Sequence, residues 1–279
     1  MPAGSLYLVP VPVGNLGDIT LRALDTLKSV DLIAAEDTRK TRFLLSYYEI
    51  KAPRLLSLHK YNEKQRLAEI LALLHEGKSI AVVSDAGSPG ISDPAFWLVR
   101  TAIEAGVDII PLPGATALIP AITASGLDTG SFLFLGFLPL KQKDRAAKLG
   151  LVASSPHTVI IYEAPHRLKQ TLGDILARCG DRRVCLAREI SKLHEEFIRG
   201  NLESILADYQ MTEKGEFVVL IEAAAPEQPA SEEEIKSCIA ELAPGPESSK
   251  ELAENIAKRF KVSRNRAYQM ILDIRKKRG

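Results

Sequence analysis

Over residues 1–125 the chain alternates short β-branched and apolar runs with longer stretches in which apolar residues return every third or fourth position. Leu6–Val13, Val30–Ala35, Ser79–Ser84 and Val107–Leu112 read as strands. Between them Leu21–Lys28, Thr38–Tyr47, Glu63–His75 and Pro94–Ala105 read as helices. This alternation calls for a mostly parallel sheet with helices on both faces. Ile80-Ala81-Val82-Val83 has no polar side at all, which fits a strand covered from both directions. The expected fold class is therefore α/β.

A second unit starts near Phe132–Phe137. It continues with strands at Thr158–Glu163, Arg183–Glu189 and Glu216–Ala223 and a helix at Arg167–Cys179. The polar, basic stretch Lys141–Pro156 reads as an exposed helix and loop. Residues 224–230 (AAPEQPA) read as a linker, followed by an acidic helix Glu232–Leu242, a Pro-Gly-Pro break at 244–246 and two basic helices. The expected division is 1–125, 126–225 and 231–279.

Thirty-six Lys and Arg against 35 Asp and Glu leave a net charge of +1, which taken over the whole chain argues against a polyanion binder. Counted by segment it does not. Residues 250–279 hold ten basic and three acidic residues, a charge of +7, so the remaining 249 residues sum to −6. A basic end on an acidic body suggests a nucleic-acid or membrane partner. Lys250–Phe260 and Arg264–Lys277 would be two helices joined at Lys261-Val262-Ser263, with Ser263 as N-cap. Leu252, Ile256, Phe260, Val262, Ala267, Met270, Ile271 and Ile274 recur at helical spacing as a small core. This is a helix-turn-helix pattern, and its basic face is either an RNA contact or a solvated surface.

Cys179, Cys185 and Cys238 form no C-x-x-C pair, so a disulfide framework or zinc ribbon is unsupported and a reducing cytoplasm fits. Met1–Gly14 lacks the basic start of a signal peptide, and the apolar run Ile109–Ala124 is broken by Pro111, Pro113 and Pro120. A soluble protein without a membrane partner is expected. The five histidines show no H-x-x-x-H pair, so no metal site is expected.

In doubly wound sheets ligands bind beyond the carboxyl ends of the strands. Here those ends carry VPVGNLGD (11–18), EDTR (36–39), SDAGSPGISD (84–93) and LPGATA (112–117). Glycine lets a ligand approach the backbone, and proline rigidifies the turn. None of these loops is G-x-G-x-x-G or G-x-x-x-x-G-K-[ST], and no G-x-S-x-G elbow occurs. EDTR is either a helix start whose acids favour the dipole or a functional cluster. Tyr162-Glu163-Ala164-Pro165-His166-Arg167 is either a Pro-led helix start or an acid, imidazole and guanidinium set at a strand end.

Taken in order, VPVGNLGDIT, EDTRKT, SLHKYNE, VVSDAGSPGISDP, LPGATALIPAITASGL, GFLPLK, YEAPHRL and AREISKLHEE resemble the bacterial small-subunit ribosomal RNA methyltransferase I family. That family lies in the tetrapyrrole-methylase-like class of S-adenosylmethionine enzymes. The resemblance runs from about Leu6 to Ala223, and the tail resembles the family's helix-turn-helix extension. It implies two α/β domains with the cofactor, S-adenosylmethionine, in the cleft between them, in a cytoplasmic homodimer. It also implies 2′-O-methylation of a decoding-centre cytidine, cytidine 1402 of 16S ribosomal RNA, within the 30S subunit.

By matching motifs, Pro12, Asp85, Ala86, Gly87 and Ser88 would contact the cofactor, with Thr116, Ala117, Tyr162 and Ala187 enclosing the rest. His59 and Asn62 would meet the substrate. A ribose hydroxyl is a poor nucleophile, so a base or a cation beside the developing alkoxide should help. Glu36, Asp37, Glu163 and Lys192 are candidates, and Arg39 and Arg167 would hold phosphates bidentately. Lys258, Arg264 and Arg266 of the tail would contact RNA phosphates, and Lys141, Lys143, Arg145 and Lys148 would add a second contact. The competing readings are a small-molecule (tetrapyrrole-type) methyltransferase and a non-catalytic RNA-binding assembly module.

Overall fold

The structure, a computed structural model, describes residues 4–210, 214–225, 231–242, 248–260 and 262–276. It divides into two compact units, Met1–Ala224 and Ala225–Gly279. The first holds two five-stranded sheets. Among the described residues no helix is long and apolar enough to cross a membrane.

The first sheet comprises β1 (Ser5–Leu8), β2 (Leu32–Ala35), β3 (Arg54–Ser57), β4 (Ile80–Val83) and β5 (Asp108–Pro111) in the order β3-β2-β4-β1-β5. All of its pairings are parallel. Alternate strand residues feed opposite faces. Ile33, Ala35, Ala81 and Val83 pack under α1 (Leu21–Ser29) and α2 (Thr38–Tyr47). Leu32, Ala34, Ile80 and Val82 pack under α3 (Glu63–His75) and α4 (Phe96–Glu104). Each fully buried Leu or Ile here contributes about 1.5–3 kcal/mol of apolar burial. The α/β fold class is as expected.

β3 was not legible in the sequence. It is a four-residue edge strand with only Leu56 fully buried, so it lacks the continuous apolar run of its neighbours. α5 (Leu118–Ser125) lies inside the proline-broken run Ile109–Ala124. Pro120 falls in its first turn, where a missing N–H costs no helical hydrogen bond. Its buried Ala121 and Ile122 pack on the second sheet, against Ile160, Cys185 and Val218, and not on the first.

That second sheet has the order β6-β7-β10-β8-β9, from β6 (Phe132–Phe137), β7 (Thr158–Glu163), β8 (Arg183–Arg188), β9 (Glu196–Asn201) and β10 (Phe217–Ile221). Only the β6–β7 pairing is parallel. Its other face is covered by α6 (Gln142–Ser154), α7 (Pro165–Cys179) and α8 (Leu202–Asp208). The sequence expectation of an exposed basic helix at Lys141–Pro156 needs correction. α6 buries Leu149 and Val152, and Arg145 is 5% exposed. Arg145 donates to Asp174 at 2.7 and 2.9 Å and to the Thr171 hydroxyl at 2.9 Å. Lys148 is turned inward to the Leu135 carbonyl. Only Lys141 and Lys143 of that set present an exposed charge.

The second unit packs α9 (Glu232–Leu242), α10 (Ser249–Phe260) and α11 (Arg264–Lys276) around Ile235, Ile239, Leu252, Ile256, Ala267 and Ile271. Phe260, Val262 and Ile274 sit at its margin. Reciprocal capping boxes start α9 (Ser231 with Glu234) and α10 (Ser248 with Glu251). Ser263 caps α11, its hydroxyl accepting from the Arg266 N–H at 3.3 Å. The linker residues 226–230, the Pro-Gly-Pro break at 244–246, Lys261, Lys277 and Arg278 lie outside the described residues.

Candidate active site

β1 and β4 are neighbours, yet α1 follows β1 on one face and α4 follows β4 on the other. Their loops therefore diverge and open a crevice at this topological switch point. The two loops are stitched across it: Val11 and Gly87 exchange both backbone hydrogen bonds at 2.9 Å. Gly87 has φ +76°, and a Cβ there would lie 3.4 Å from Val13 Cγ1. Ser88 Oγ donates to the Ala115 carbonyl at 3.0 Å, tying in the loop after β5.

The β4–α4 loop is strained as well as stitched. Two non-glycine residues, Ser92 (φ +65°) and Ala95 (φ +137°), take positive φ on either side of Asp93 and Pro94. Such residues cost of order 1–3 kcal/mol each and persist where surrounding structure over-determines them. The consequence is a fixed position for Asp93.

Acids from two strand ends converge here. Glu36 Oε2 accepts from the Asp85 N–H at 3.2 Å, and Asp85 Oδ1 accepts from the Asp37 N–H at 3.0 Å. Lys40 Nζ lies 2.7 Å from Asp85 Oδ2, and that bond raises the lysine's pKa. Asp37 caps α2, accepting from the Arg39 N–H at 2.8 Å, and takes the Arg39 guanidinium at 2.7 and 3.0 Å. Arg39 thereby holds the Asp37 carboxyl far below the usual carboxylate range. Asp93 is the opposite case. Burial, then the charges of Glu36 and Asp85, push it up to about 7, with the Ser84 hydroxyl acting weakly the other way. Opposite it Tyr162 is raised by burial, a shift that hydrogen bonding to Thr116 reduces.

Two adjoining cavities share Val13, Lys40, Asp85, Ala86 and Glu216. One, of about 430 Å³, lies between the lobes and is lined by Glu36, Asp85, Ala86, Gly87 and Ser88, with Asp93, Thr116, Ala117 and Tyr162 completing it. The other, about 640 Å³, takes in Pro12, Asp37, Arg39 and Lys192. Lys192 comes from the second lobe, held by Glu189 at 2.8 Å and Glu216 at 3.0 Å. Its aliphatic stem lies over Gly14, where a Cβ would come within 2.3 Å of Lys192 Cγ, so only glycine fits beneath it.

Within the first unit four expected residues stand apart from these cavities. Ala187 is fully buried in the second sheet, paired with Val218. Asn62 staples its own loop, accepting from the His59 N–H at 2.7 Å and donating to the Ser57 carbonyl at 3.1 Å, while His59 Nδ1 accepts from the Tyr61 N–H. Arg167 turns inward to the Leu138 carbonyl. Glu163 borders the smaller cavity, yet its side chain has no exposed surface. It accepts from the Thr171 hydroxyl at 2.6 Å and the Ala164 N–H at 2.9 Å. In the helical unit Lys258 pairs with Glu254 at 3.4 Å and Arg266 with Glu232 at 3.6 Å, while Arg264 is exposed in the first turn of α11.

Sequence reasoning missed Lys40 and Asp93, although both lie inside segments it singled out, EDTRKT and SDAGSPGISDP. The unread signal was a second acid in a glycine-rich loop whose first acid, Asp85, was already assigned.

The tetrapyrrole (corrin/porphyrin) methylase family matches residues 5–206. A Synechocystis protein named ribosomal RNA small subunit methyltransferase I is 46% identical over 279 residues, covering 97% of this chain and 98% of its own. A protein of the same name from Escherichia coli O157:H7 is 49% identical over 223 residues, covering 78% of each chain. Among solved structures, uroporphyrin-III C-methyl transferase from Thermus thermophilus complexed with S-adenyl homocysteine superposes with a TM-score of 0.57 at 19% identity. That match covers 78% of this chain and 97% of the other, and it concerns the fold alone. With its switch-point crevice and this degree of identity, the chain belongs to the tetrapyrrole methylase family and, within it, to the ribosomal RNA small subunit methyltransferase I proteins.

Proposed function

We propose that this protein transfers a methyl group from S-adenosylmethionine to the ribose 2′-oxygen of a cytidine in 16S ribosomal RNA, cytidine 1402. The observation that carries the reading is the inter-lobe cavity, where Asp85, Glu36 and Asp93 converge on a glycine-walled crevice of about 430 Å³. That volume is within the range of small-molecule sites. Its carboxylates suit a sulfonium cation, and Gly87 leaves the backbone bare for close approach. Asp85, Ala86, Gly87, Ser88, Thr116, Ala117 and Tyr162 would hold the cofactor, with Pro12 at the adjoining wall. When bound it supplies the electrophilic methyl group.

The chain's own task is alignment and proton removal. Asp93, near neutrality, is matched to taking the proton of a ribose hydroxyl at working pH. Burial, and then the charges of Glu36 and Asp85, keep it from being a weaker base. Lys40, Arg39 and Lys192 put cations beside the larger cavity, suited to phosphates of the incoming strand. Residues 1–125 would carry the cofactor and substrate loops, 126–225 would close the cleft, and 231–279 would contact RNA. Arg264 and Arg266 occupy the first turn of α11, where cations oppose the helix dipole. A bound phosphate would relieve that conflict. The reading includes a cytoplasmic homodimer, checked by light scattering.

Tritiated methyl transfer to 30S subunits and to free 16S RNA, with the modified nucleotide mapped, tests this directly. Label in 2′-O-methylcytidine is expected, and its absence overturns the reading. Deleting 231–279 should weaken RNA binding and flatten its salt dependence while cofactor affinity holds. An unchanged salt slope would reject the role of the tail.

A further inference from the structure

Beside the cavity, the surface carries an unusual group of side chains. Trp97 is 40% exposed, Phe96 61% and Tyr61 87%. Phe96 meets Trp97 edge-on with ring centroids 5.2 Å apart. Two cations flank the indole: Lys64 Nζ at 4.8 Å from the ring centroid and the Arg100 guanidinium at 5.9 Å. Single exposed aromatics are ordinary on protein surfaces. Three at one sheet edge, interleaved with cations, are not.

The group is built, not incidental. α4 begins at Phe96 without a side-chain cap of its own, because Ala95 has none to offer. The buried carboxylate of Glu63, first residue of α3, does the capping, accepting from the Leu98 N–H at 3.0 Å. That bond locks the starts of α3 and α4 together and so sets Lys64 against Trp97. Asn62 fixes the preceding loop, which presents Tyr61 and Lys60. Both segments follow strands β3 and β4 at the same sheet edge as the cavity loops. Asp93 lines the cavity, and Phe96 is three residues further on, a chain distance of at most about 11 Å.

We infer that Phe96, Trp97 and Tyr61, with Lys64 and Arg100, form a stacking platform for unpaired nucleobases next to the target nucleotide. Aromatic faces for bases, with cations between them for phosphates, are how proteins hold single-stranded nucleic acid. The charge is local: residues 1–249 sum to −6, so these cations are an island on an acidic body and not part of a general basic field. Arg100 also pairs with Glu104 at 3.1 Å, which orients its guanidinium along α4. The inference rests on the ribosomal RNA reading, since a small substrate would not extend to this surface.

Trp97 is the only tryptophan of the chain, so its fluorescence reports this surface alone. Titration of the full-length protein with single-stranded oligoadenylate should quench it saturably, and an abasic ribose-phosphate strand of equal length should not. Read by the anisotropy of end-labelled oligoadenylate, which needs no tryptophan, W97A should weaken binding about tenfold, the usual scale for losing one stacked base. W97F, which keeps an aromatic face, should stay within about threefold of wild type. Equal quenching by the abasic strand, or none by either, overturns the platform. So does a loss of dimer on W97A in light scattering, which would make this face a contact with a second copy. Methylation of 30S subunits by the wild type is read in parallel. Methyl transfer without quenching sinks the platform alone; quenching without methyl transfer sinks the enzyme reading alone.

Discussion

The chain has two acid–arginine clusters at strand ends, and they have opposite fates. In EDTR the Asp37 and Arg39 side chains are 22% and 85% exposed and line a cavity. In YEAPHR the Glu163 and Arg167 side chains are 0% and 18% exposed and face inward. The difference comes from strand parity. Along β7, Val159 and Ile161 join the core under α6 and α7, whereas Ile160 and Tyr162 join the core toward α5. Glu163 shares the parity of Val159 and Ile161, so its carboxylate goes under α7 while Tyr162 looks into the cleft. There the buried Glu163, Thr171 and Arg145 form a connected network that ends on the partly exposed Asp174. The same residue types line an open cavity in one lobe and brace the interior of the other.

Substitutions should therefore read out on turnover in the first lobe and on stability in the second. The largest expected effect is at Asp93. D93N should lower kcat by about 10²–10⁴-fold, the usual contribution of a general base. Calorimetric affinity for S-adenosylmethionine should stay close to wild type. Wild-type kcat should rise with pH through about 7 and level off, and D93N should lack that inflection. A raised Kd with kcat intact would move Asp93 from proton transfer to cofactor binding.

Next is Glu163. E163A leaves Arg167 and the Thr171 hydroxyl without their buried partner and should cost about 3 kcal/mol in urea unfolding. Folded E163A should retain most of its turnover. A large kcat loss with wild-type stability would break the division between the lobes. Asp37→Ala and Arg39→Ala should behave conversely, with turnover down by about an order of magnitude through lost positioning. Cofactor binding should hardly change in either, and Arg39→Ala should melt as wild type does, because an exposed ion pair contributes little to stability; Asp37→Ala should melt slightly lower, because it also removes the N-cap of α2.

These contrasts also mark how far the sequence could be read. Strand–helix alternation was enough for the first sheet because its buried strands are unbroken apolar runs; the edge strand β3, RLLS, has no such signature. α5 was hidden by Pro120, which is harmless only because it falls in a first turn. The glycine-rich loops after the strands line the crevice, and their position along the chain was legible. Period-2 alternation in TVIIYE already implied that Tyr162 and Glu163 cannot face the same way. Asp93 lay beyond such reasoning. Its raised pKa depends first on burial that no local pattern encodes, and then on Glu36, 57 positions earlier and on another strand end.

The smallest effect follows from the same displaced proton. Unfolded, Asp93 should release its proton near the ordinary value of 3.8; folded, it keeps it to about 7. Between those values the native state binds more protons than the unfolded state, so stability falls as pH rises through the window. Above about 7 the penalty is fully present, and below about 4 it vanishes. D93N removes the charge and so should melt higher than wild type at pH 8, by about 1 kcal/mol once screening of a half-buried group is allowed for. At pH 3.5 the two should coincide to within about 0.3 kcal/mol. A less active variant that is more stable only in the alkaline range would locate the cost of the site in one carboxylate. Equal melting at both pH values would mean that burial and the charges of Glu36 and Asp85 exert no such pressure on Asp93, and the open cluster would then be as relaxed as the buried one.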